Sequence, residues 1–366
     1  MAALGFHGKL AVQQRVLPPY RAAFFDALAP ACDAGLSVFA GEALPAEAIP
    51  SGRLRTAGFV PAHNLHLLSG PLYFCWQGGL PAWLDGWDPD ALIVEANPRY
   101  LATPAAVAWM KRRGRPVIGW GLGAPRLTGP LSALRRYRRL SFVHQFDAML
   151  TYSRRGAEEY ATLDLPLDRI FVAPNAAAAR PSWPMPTRSP TFDRKPSILF
   201  VGRLQARKRV DLLLQACAAL PENLQPRLVI VGDGPQRAAL ENLAGTVYPS
   251  AEFPGARHGA DLAPYFYSAD LFVLPGTGGL AVQEAMAYGL PVIMGQGDGT
   301  NDDLVRPENG WQLPDPGSLP DVLRQALSDA SRLRAMGTES YRIVSEEINL
   351  EKMVEIFITA LNQLVA

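Results

Sequence analysis

The segment LFVLPGTGGLAVQEAMAYGLPVIM, residues 271–294, indicates the fold of this chain more clearly than any other. An apolar run that ends at Pro275 predicts a strand, and the glycine-containing run after it predicts a loop. Residues 280–288 predict a helix, which ends at Gly289 before a second apolar run. Strand, glycine loop, helix and strand in this order predict a βαβ unit of a parallel sheet.

The loop of this unit has the residues of an anion site. Glycines let the backbone approach a ligand closely, and the first N–H groups of a helix bind phosphate or sugar oxygens. We therefore expect Thr277, Gly278, Gly279 and Leu280 to contact a ligand. Glu284 lies about one helical turn after Leu280, so its carboxylate is placed to accept both hydroxyls of a ribose. The alternative is an ordinary helix start with a solvated glutamate.

A second strand and turn supply positive charge. Residues 197–211 read SILFVGRLQARKRVD, in which an apolar strand leads into Gly202 and a helix is predicted to begin near Lys208. Arg203 and Lys208 lie on the two sides of this turn and are expected to converge on one anion, such as a diphosphate. Residues 228–235, LVIVGDGP, again read as a strand that ends in a glycine turn.

Together these segments resemble the nucleotide-sugar half of the retaining glycosyltransferases of family 4, the glycosyl transferases group 1. The resemblance covers roughly residues 196–312. It rests on the following segments: VGRL with the later Lys208, VGDGP, FPG ending at Gly255, SADLFVLP, and EAMAYGLPVI. It implies an α/β GT-B fold, with two Rossmann-like doubly wound domains facing across a cleft.

The donor half departs from the family pattern at Gly276 and after residue 294. The family usually has a glutamate at each end of the segment 276–284, and the first one usually contacts the donor sugar. Here the second is Glu284, whereas the first position is Gly276. After residue 294 the family usually has a glutamate to which Asp298 and Asp302 are only loose equivalents.

The domain boundaries follow from the resemblance and from composition. We expect residues 1–180 to form an N-terminal acceptor-binding Rossmann-like domain and residues 196–349 to form the C-terminal nucleotide-sugar-binding one. Residues 181–195 are rich in Pro, Ser and Arg and are interpreted as a linker. The C-terminal helix, residues 350–366, is expected to pack back on the first domain.

Composition excludes several classes of protein. With 48% hydrophobic and 19% charged residues, the chain is globular, and a net charge of +1 gives no reason to expect nucleic-acid binding. The three cysteines are far apart, without metal-ligand or disulfide spacing. No uncharged apolar run is long enough to span a bilayer, and no signal peptide is recognised. We expect a cytoplasmic protein, either free in the cytoplasm or peripherally bound to the inner face of the cell membrane.

The first half has weaker signals for an acceptor site. Arg21 follows the first predicted strand, and Glu95 and Asn97 lie at the end of the strand 91–95, where ligands bind in α/β sheets. The alternative for Arg21 is a surface arginine. Residues 135–139, RRYRR, lie in a basic helix that suits an anionic membrane surface. The alternatives there are a solvated helix face or a loop that holds a phosphate-bearing acceptor.

The resemblance implies transfer of a sugar from a UDP- or GDP-sugar to an acceptor hydroxyl, in polysaccharide, glycan or glycolipid assembly. In this hypothesis Arg203 and Lys208 are catalytic, because they neutralise the departing diphosphate. Gly202 contacts the donor, and the backbone around Gly255 and Arg257 meets the base. The nucleotide sugar is a co-substrate, and neither a metal ion nor another cofactor is expected.

Two other functions remain open at this point. One is a nucleotide-sugar epimerase, against which the absence of a paired carboxylate at Gly276 argues. The other is a non-catalytic, nucleotide-sugar-binding subunit of a synthase, which Gly276 favours and the retained Arg203, Lys208 and Glu284 oppose.

Overall fold

The computed structural model of the protein describes residues 5–47, 49–129, 131–297 and 303–365. It divides into two compact units. Unit 1 contains the chain up to Ala177 and from Leu350 onward, and unit 2 contains Ala178–Asn349. Asp298 and Asp302 lie outside the described residues.

Unit 1 is an α/β layer structure. Its strands are β1 (Leu10–Val16), β2 (Leu36–Gly41), β3 (Gly58–Pro61), β4 (His63–Leu67), β5 (Phe74–Gly78), β6 (Ala91–Glu95), β7 (Val117–Gly121), β8 (Ala148–Thr151) and β9 (Ile170–Val172). Its helices up to Ala177 are α1 (Pro19–Leu28), α2 (Leu80–Trp87), α3 (Thr103–Lys111), α4 (Ser132–Val143) and α5 (Arg154–Ala161). The main sheet has the order β3-β2-β1-β6-β7-β8-β9, and its neighbouring strands are parallel. The strand order reverses between β1 and β6, as in a doubly wound fold.

The hairpin β4–β5 is an element that the sequence analysis does not predict. Its register pairs Leu65 with Trp76 and Asn64 with Gln77. Leu65 and Trp76 are exposed, whereas Gln77 is buried and hydrogen-bonds Asn64 at 2.9 Å. The polar face of this hairpin therefore points inward, which inverts the alternation by which a half-buried strand is normally recognised.

Unit 2 repeats the same architecture. Its strands are β10 (Ser197–Val201), β11 (Arg227–Val231), β12 (Glu252–Gly255), β13 (Leu271–Leu274), β14 (Val292–Met294) and β15 (Gly310–Gln312). Its helices are α6 (Val210–Ala218), α7 (Arg237–Val247), α8 (Ala263–Ser268), α9 (Leu280–Ala287), α10 (Leu319–Leu327) and α11 (Ala330–Glu346). The sheet order is β12-β11-β10-β13-β14-β15, with parallel neighbours, so the order reverses between β10 and β13. The βαβ unit predicted from residues 271–294 is β13-α9-β14.

Helix α6 begins at Val210, close to its predicted start near Lys208. Residues 206–208 form a short 3-10 turn before it, and Arg209 has a left-handed φ of 54°. The sequence of residues 320–336 also predicts one helix, whereas the structure has two, α10 and α11. The chain breaks between them because the side chain of Asp329 caps α11 by accepting the amide of Arg332 at 2.9 Å.

Two segments near the unit boundaries are firmly packed. Helix α12 (Leu350–Val365) belongs to unit 1, where the fully buried ring of Phe357 lies 4.7 Å from that of Phe24 and 4.9 Å from that of Trp120. Residues 181–195, the predicted linker, are part of unit 2. There the guanidinium of Arg188 donates to the carbonyls of Tyr288 at 2.8 Å and Ala269 at 3.0 Å, at the ends of α9 and α8.

Candidate functional site

The carboxyl ends of β10 and β13 bring the strongest candidate residues together. These two neighbours are the strands between which the order of unit 2 reverses, and ligands of open α/β sheets bind outside such a point. Lys208 follows β10 and the glycine loop follows β13. A Cβ atom on Gly278 would overlap Nζ of Lys208, so the ammonium group lies directly against the loop backbone. Gly278 also has a φ of 119°, a conformation that favours glycine.

The start of α9 is open to an anion. Its N-cap residue, Gly279, provides no side-chain cap for the first-turn amides. Thr277 and Leu280 are exposed on either side of the two glycines. The loop thus combines uncapped helix amides with the Lys208 ammonium, an arrangement that suits phosphate oxygens.

Arg207 is a second cation at this loop, and the sequence analysis did not identify it. Its guanidinium donates to the carbonyl of Thr277 at 3.3 Å and to Oγ1 of the same residue at 3.4 Å. Its own carbonyl accepts the amide of Thr277 at 3.0 Å. The only sequence signal is its place beside Lys208 in the run ARKR, which does not distinguish one cation from the next.

The electrostatics of Lys208 reflect a cation without a counter-charge. The side chain is half-buried, and burial together with the nearby charge of Arg207 lowers the pKa of Lys208 to about 8. Both causes disfavour the ammonium form. A bound anion would remove this penalty, because an opposite charge at hydrogen-bonding distance favours the charged form.

Gly276 has no room for any side chain. A Cβ atom there would overlap the carbonyl oxygen of Arg207 and lie 2.6 Å from the carbonyl carbon of Lys208. The backbone of residues 207–208 thus occupies the space that a glutamate at this position would need. A pocket of about 200 Å³ opens beside Gly276, and Arg207, Thr277, Gln296 and Asp315 are among its lining residues.

Glu284 lies on α9 as the sequence predicts. Its carboxylate is half-buried, burial raises its pKa, and it forms no hydrogen bond or ion pair within the described part of the chain. The rotation of the helix is fixed by its buried face, where Gln283 Nε2 donates to the carbonyl of Ile348 at 2.7 Å. Glu284 is therefore available to a ligand.

The other donor candidates lie at the ends of neighbouring strands. Gly202 donates its amide to the carbonyl of Val231 at 3.0 Å, and Gly255, at the end of β12, has a φ of 86° that favours glycine. Arg203 is exposed and has no hydrogen bond or ion pair among the described residues, and Arg257 is exposed and reaches only the carbonyl of Ala256, at 3.4 Å. The structure brings Lys208 to the glycine loop; it does not bring Arg203 or Arg257 into contact with it.

In unit 1, two of the three acceptor candidates lie at the carboxyl ends of the sheet. Arg21 is buried, and its Nη2 donates to the hydroxyl of Tyr152 at 3.1 Å. Burial raises the pKa of Glu95, whose Oε2 accepts the amide of Arg15 at 2.9 Å. Asn97 accepts the amide of Arg99 at 3.1 Å, which closes the turn after β6 and accounts for an asparagine at that position.

Unit 1 also has a buried polar network that the sequence analysis missed. Gln13, in the middle of β1, is fully buried and donates to Oε1 of Gln77 on the hairpin. Gln77 in turn donates to the carbonyl of Gln14 at 3.0 Å. Two adjacent glutamines in the apolar strand LAVQQRV were the available signal, since buried polar side chains require partners.

The described residues contain neither a cluster of metal-ligating side chains nor a helix suited to cross a membrane. Within residues 5–47, 49–129, 131–297 and 303–365, no group of three or more His, Cys, Asp or Glu side chains is arranged to hold a metal ion. In the same ranges no helix combines the length and apolarity that crossing a membrane requires.

Comparison with known proteins identifies the family. Residues 195–329 match the family model described as glycosyl transferases group 1. A GDP-mannose-dependent alpha-mannosyltransferase of Mycobacterium tuberculosis (strain CDC 1551 / Oshkosh) is 32% identical over 300 residues, which cover 72% of this chain and 73% of that protein. The sulfoquinovosyl transferase SQD2 of Arabidopsis thaliana is 36% identical over 151 residues, 39% of this chain and 29% of that one.

Solved structures share the fold over nearly the whole chain. Sucrose-phosphate synthase from Thermosynechococcus elongatus has a TM-score of 0.65 at 19% identity, with 97% of this chain and 98% of that chain covered. Anabaena Alr3699/HepE in complex with UDP has a TM-score of 0.66 at 14% identity, with 97% and 99% covered. The chain therefore belongs to the glycosyl transferases group 1 and is a nucleotide-sugar glycosyltransferase with the α/β GT-B fold.

Proposed function

We propose that the enzyme transfers a hexose from a nucleoside diphosphate sugar to a hydroxyl of a glycan or glycolipid acceptor, with retention of the anomeric configuration. The observation that carries the proposal is the contact of Lys208 with the glycine loop at the start of α9. GDP-mannose is the first donor to test, because the mycobacterial relative is named for its dependence on it. A UDP-sugar is the second, since a structural neighbour was solved with UDP.

In this mechanism unit 2 stabilises the leaving group. Negative charge grows on the diphosphate as the glycosidic bond to the sugar breaks. Lys208, Arg207 and the first amides of α9 meet that charge, and the exposed Arg203 is free to join them. Removing one such preorganised donor typically costs about 10²–10³ in kcat, or roughly 3–4 kcal/mol.

The remaining donor contacts follow from the order of the strand ends. The unpaired carboxylate of Glu284 accepts the ribose hydroxyls, and the backbone at Gly255 and Arg257 meets the base. Gly202 leaves space beside Lys208, since a Cβ atom there would stand 4.0 Å from Cε of that lysine. The pocket beside Gly276 is the proposed place of the sugar, because it adjoins the loop that holds the diphosphate.

We further propose that this charge stabilisation needs no divalent cation. Two side-chain cations and a helix start already converge on the leaving group, which is the task that a metal ion performs in other phosphate sites. Transfer is accordingly expected to continue in EDTA. A requirement for Mg²⁺ or Mn²⁺ that EDTA reveals would contradict this part of the proposal.

The acceptor is proposed to bind at the carboxyl ends of the unit 1 sheet. The strand order reverses there between β1 and β6, and Arg21 and Glu95 follow these two strands. Asn97 is the weakest member of the set because its side chain already closes a turn.

A peripheral membrane contact through α4 is a separate proposal. Exposed apolar side chains lie at the N-cap of this helix, Leu131, and within it, Leu134 and Tyr137. They are next to the exposed Arg135 and Arg138. Apolar and basic side chains together suit an anionic lipid surface. The chain should co-sediment with phosphatidylglycerol vesicles but not with phosphatidylcholine vesicles. Equal sedimentation of a Leu134→Glu variant would refute the assignment to α4.

Turnover of defined donors tests the function. Purified enzyme is incubated with GDP-mannose or UDP-glucose, with and without acceptors, and the released nucleoside diphosphate is measured. Lys208→Ala should lose turnover by about 10²-fold or more, whereas Lys195→Ala, an exposed lysine of the same unit, should not. Equal turnover in both variants would refute the role of Lys208. Formation of an epimer without acceptor would indicate an epimerase, and no turnover of any donor would indicate a partner subunit.

A further inference from the structure

We propose that the acceptor carries a phosphate group and that Arg21, at the start of α1, binds it. This inference rests on the proposed function and names the acceptor class that unit 1 takes.

Arg21 is a buried cation with an unpaired donor nitrogen. Its side chain is 5% exposed, and Nη2 donates to the hydroxyl of Tyr152 at 3.1 Å. The guanidinium lies over the ring of Trp120, 4.4 Å from the centroid. Nη1 is buried and has no hydrogen-bond partner, and no carboxylate of the described residues forms an ion pair with this arginine. Burying a charge in this way is costly unless an anion accompanies it.

A neighbouring arginine shows the contrast. Arg15, at the end of β1, forms a two-point ion pair with Glu47, with both N–O distances 2.9 Å. Glu95, the nearest acidic candidate to both arginines, already accepts the amide of Arg15. Glu95 also lies close enough to attract Arg21, but it forms no ion pair with it, so Nη1 of Arg21 is left without an acceptor.

One further polar atom beside this guanidinium lacks a partner. Nε1 of Trp120, whose ring lies against Arg21, is buried and forms no hydrogen bond in the described part of the chain. An N–H beside a guanidinium forms a donor set, and a tetrahedral oxyanion offers acceptors in enough directions to meet it.

The start of α1 adds a positive dipole end. The N-cap Pro18 provides no side-chain cap, Pro19 lies in the first turn, and the helix continues for ten residues. Arg21 is itself in this first turn. Helix N-termini and arginine side chains each suit phosphate, so their combination at this point favours such a ligand.

Phosphate binding by the full chain tests the inference. Inorganic phosphate is titrated against chloride at matched ionic strength, and the dissociation constant is measured by calorimetry. Arg21→Met should weaken binding at least about tenfold and Arg21→Lys should weaken it less, whereas Arg112→Met, an exposed arginine of unit 1, should bind as the wild type does. The titration is repeated in Lys208→Ala, where the phosphate effect must persist, because this removes the donor site from the comparison.

The outcomes separate the possibilities. If Arg21→Met does not fold, Arg21→Lys and Tyr152→Phe carry the test, since both keep the charge and alter how it is held. Unchanged phosphate affinity in the Arg21 variants, or no phosphate binding by the wild type, overturns the inference. Normal GDP-mannose binding in the same variants would show that the proposed function stands while the inference fails. Glycerol 3-phosphate and phosphatidylglycerol vesicles then distinguish a soluble phosphate from a lipid headgroup.

Discussion

The low pKa of Lys208 makes donor binding depend on pH in a direction that can be calculated. In the free chain its pKa is about 8 because burial and Arg207 both oppose the charge. A bound diphosphate favours the ammonium form, so binding above this pH takes up a proton. The protonated fraction falls from roughly nine-tenths near pH 7 to roughly one-tenth near pH 9. The dissociation constant of the donor should therefore rise about tenfold across this interval, or ~1.4 kcal/mol.

Calorimetric titration of GDP-mannose or GDP across this range measures the effect. Lys208→Arg is the informative variant, because a guanidinium stays charged throughout and its profile should be nearly flat. Lys195→Arg, on an exposed lysine, should follow the wild type. Titration of the base and of the nucleotide affects all three proteins equally and cancels in the comparison. Parallel profiles for the wild type and Lys208→Arg would refute the reasoning, since the pH dependence would then arise elsewhere.

Four further outcomes test the structure. Lys208→Met should raise the free energy of unfolding of the free chain by up to about 3 kcal/mol near neutral pH. The wild type gains the same stability only as the pH rises from about 8 towards the ordinary lysine pKa, because the unfolded chain binds more protons in that range. Urea melts at several pH values measure this difference. Gly276→Ala should lower the free energy of unfolding by about 1–3 kcal/mol and weaken donor binding, because its Cβ meets the backbone of Arg207. Gly245→Ala, in open space on α7, should raise the free energy of unfolding by roughly 0.5–1 kcal/mol. Unchanged melting of Gly276→Ala would contradict the observed packing. Glu284→Gln should weaken GDP binding but not the binding of 2′-deoxy-GDP, measured by the same calorimetry, and equal losses for both nucleotides would remove the ribose role. Phe357→Ala should lower the free energy of unfolding by about 3–5 kcal/mol, measured in a thermal or urea melt, because its ring is fully buried. A smaller loss would mean that α12 contributes little to the stability of unit 1.

The sequence was most informative where burial and backbone geometry constrain residue type. Strands buried on both faces, such as β10 and β13, appear as continuous apolar runs, and their ends are marked by glycines. Gly278 favours glycine because its φ is 119°, and a backbone requirement of this kind is visible in the sequence. The βαβ unit and its lysine were therefore predictable.

Other features depended on tertiary contacts that no local pattern encodes. Nothing in the run ARKR shows that Arg207 and Lys208 both reach the glycine loop while Arg209 pairs with Asp211 instead. The absence of a side chain at Gly276 is explained only when the backbone of residues 207–208 is seen to fill that space. The β4–β5 hairpin escaped prediction because Leu65 and Trp76 face solvent.

A crystal structure of the enzyme with GDP, or with UDP if GDP does not bind, would show whether Lys208 and the glycine loop hold the diphosphate. We expect diphosphate oxygens within hydrogen-bonding distance of Nζ of Lys208 and of the amides of Gly279 and Leu280. We also expect the ribose hydroxyls at the carboxylate of Glu284. A nucleotide bound away from the glycine loop, or a diphosphate that leaves Lys208 unpaired, would contradict these expectations.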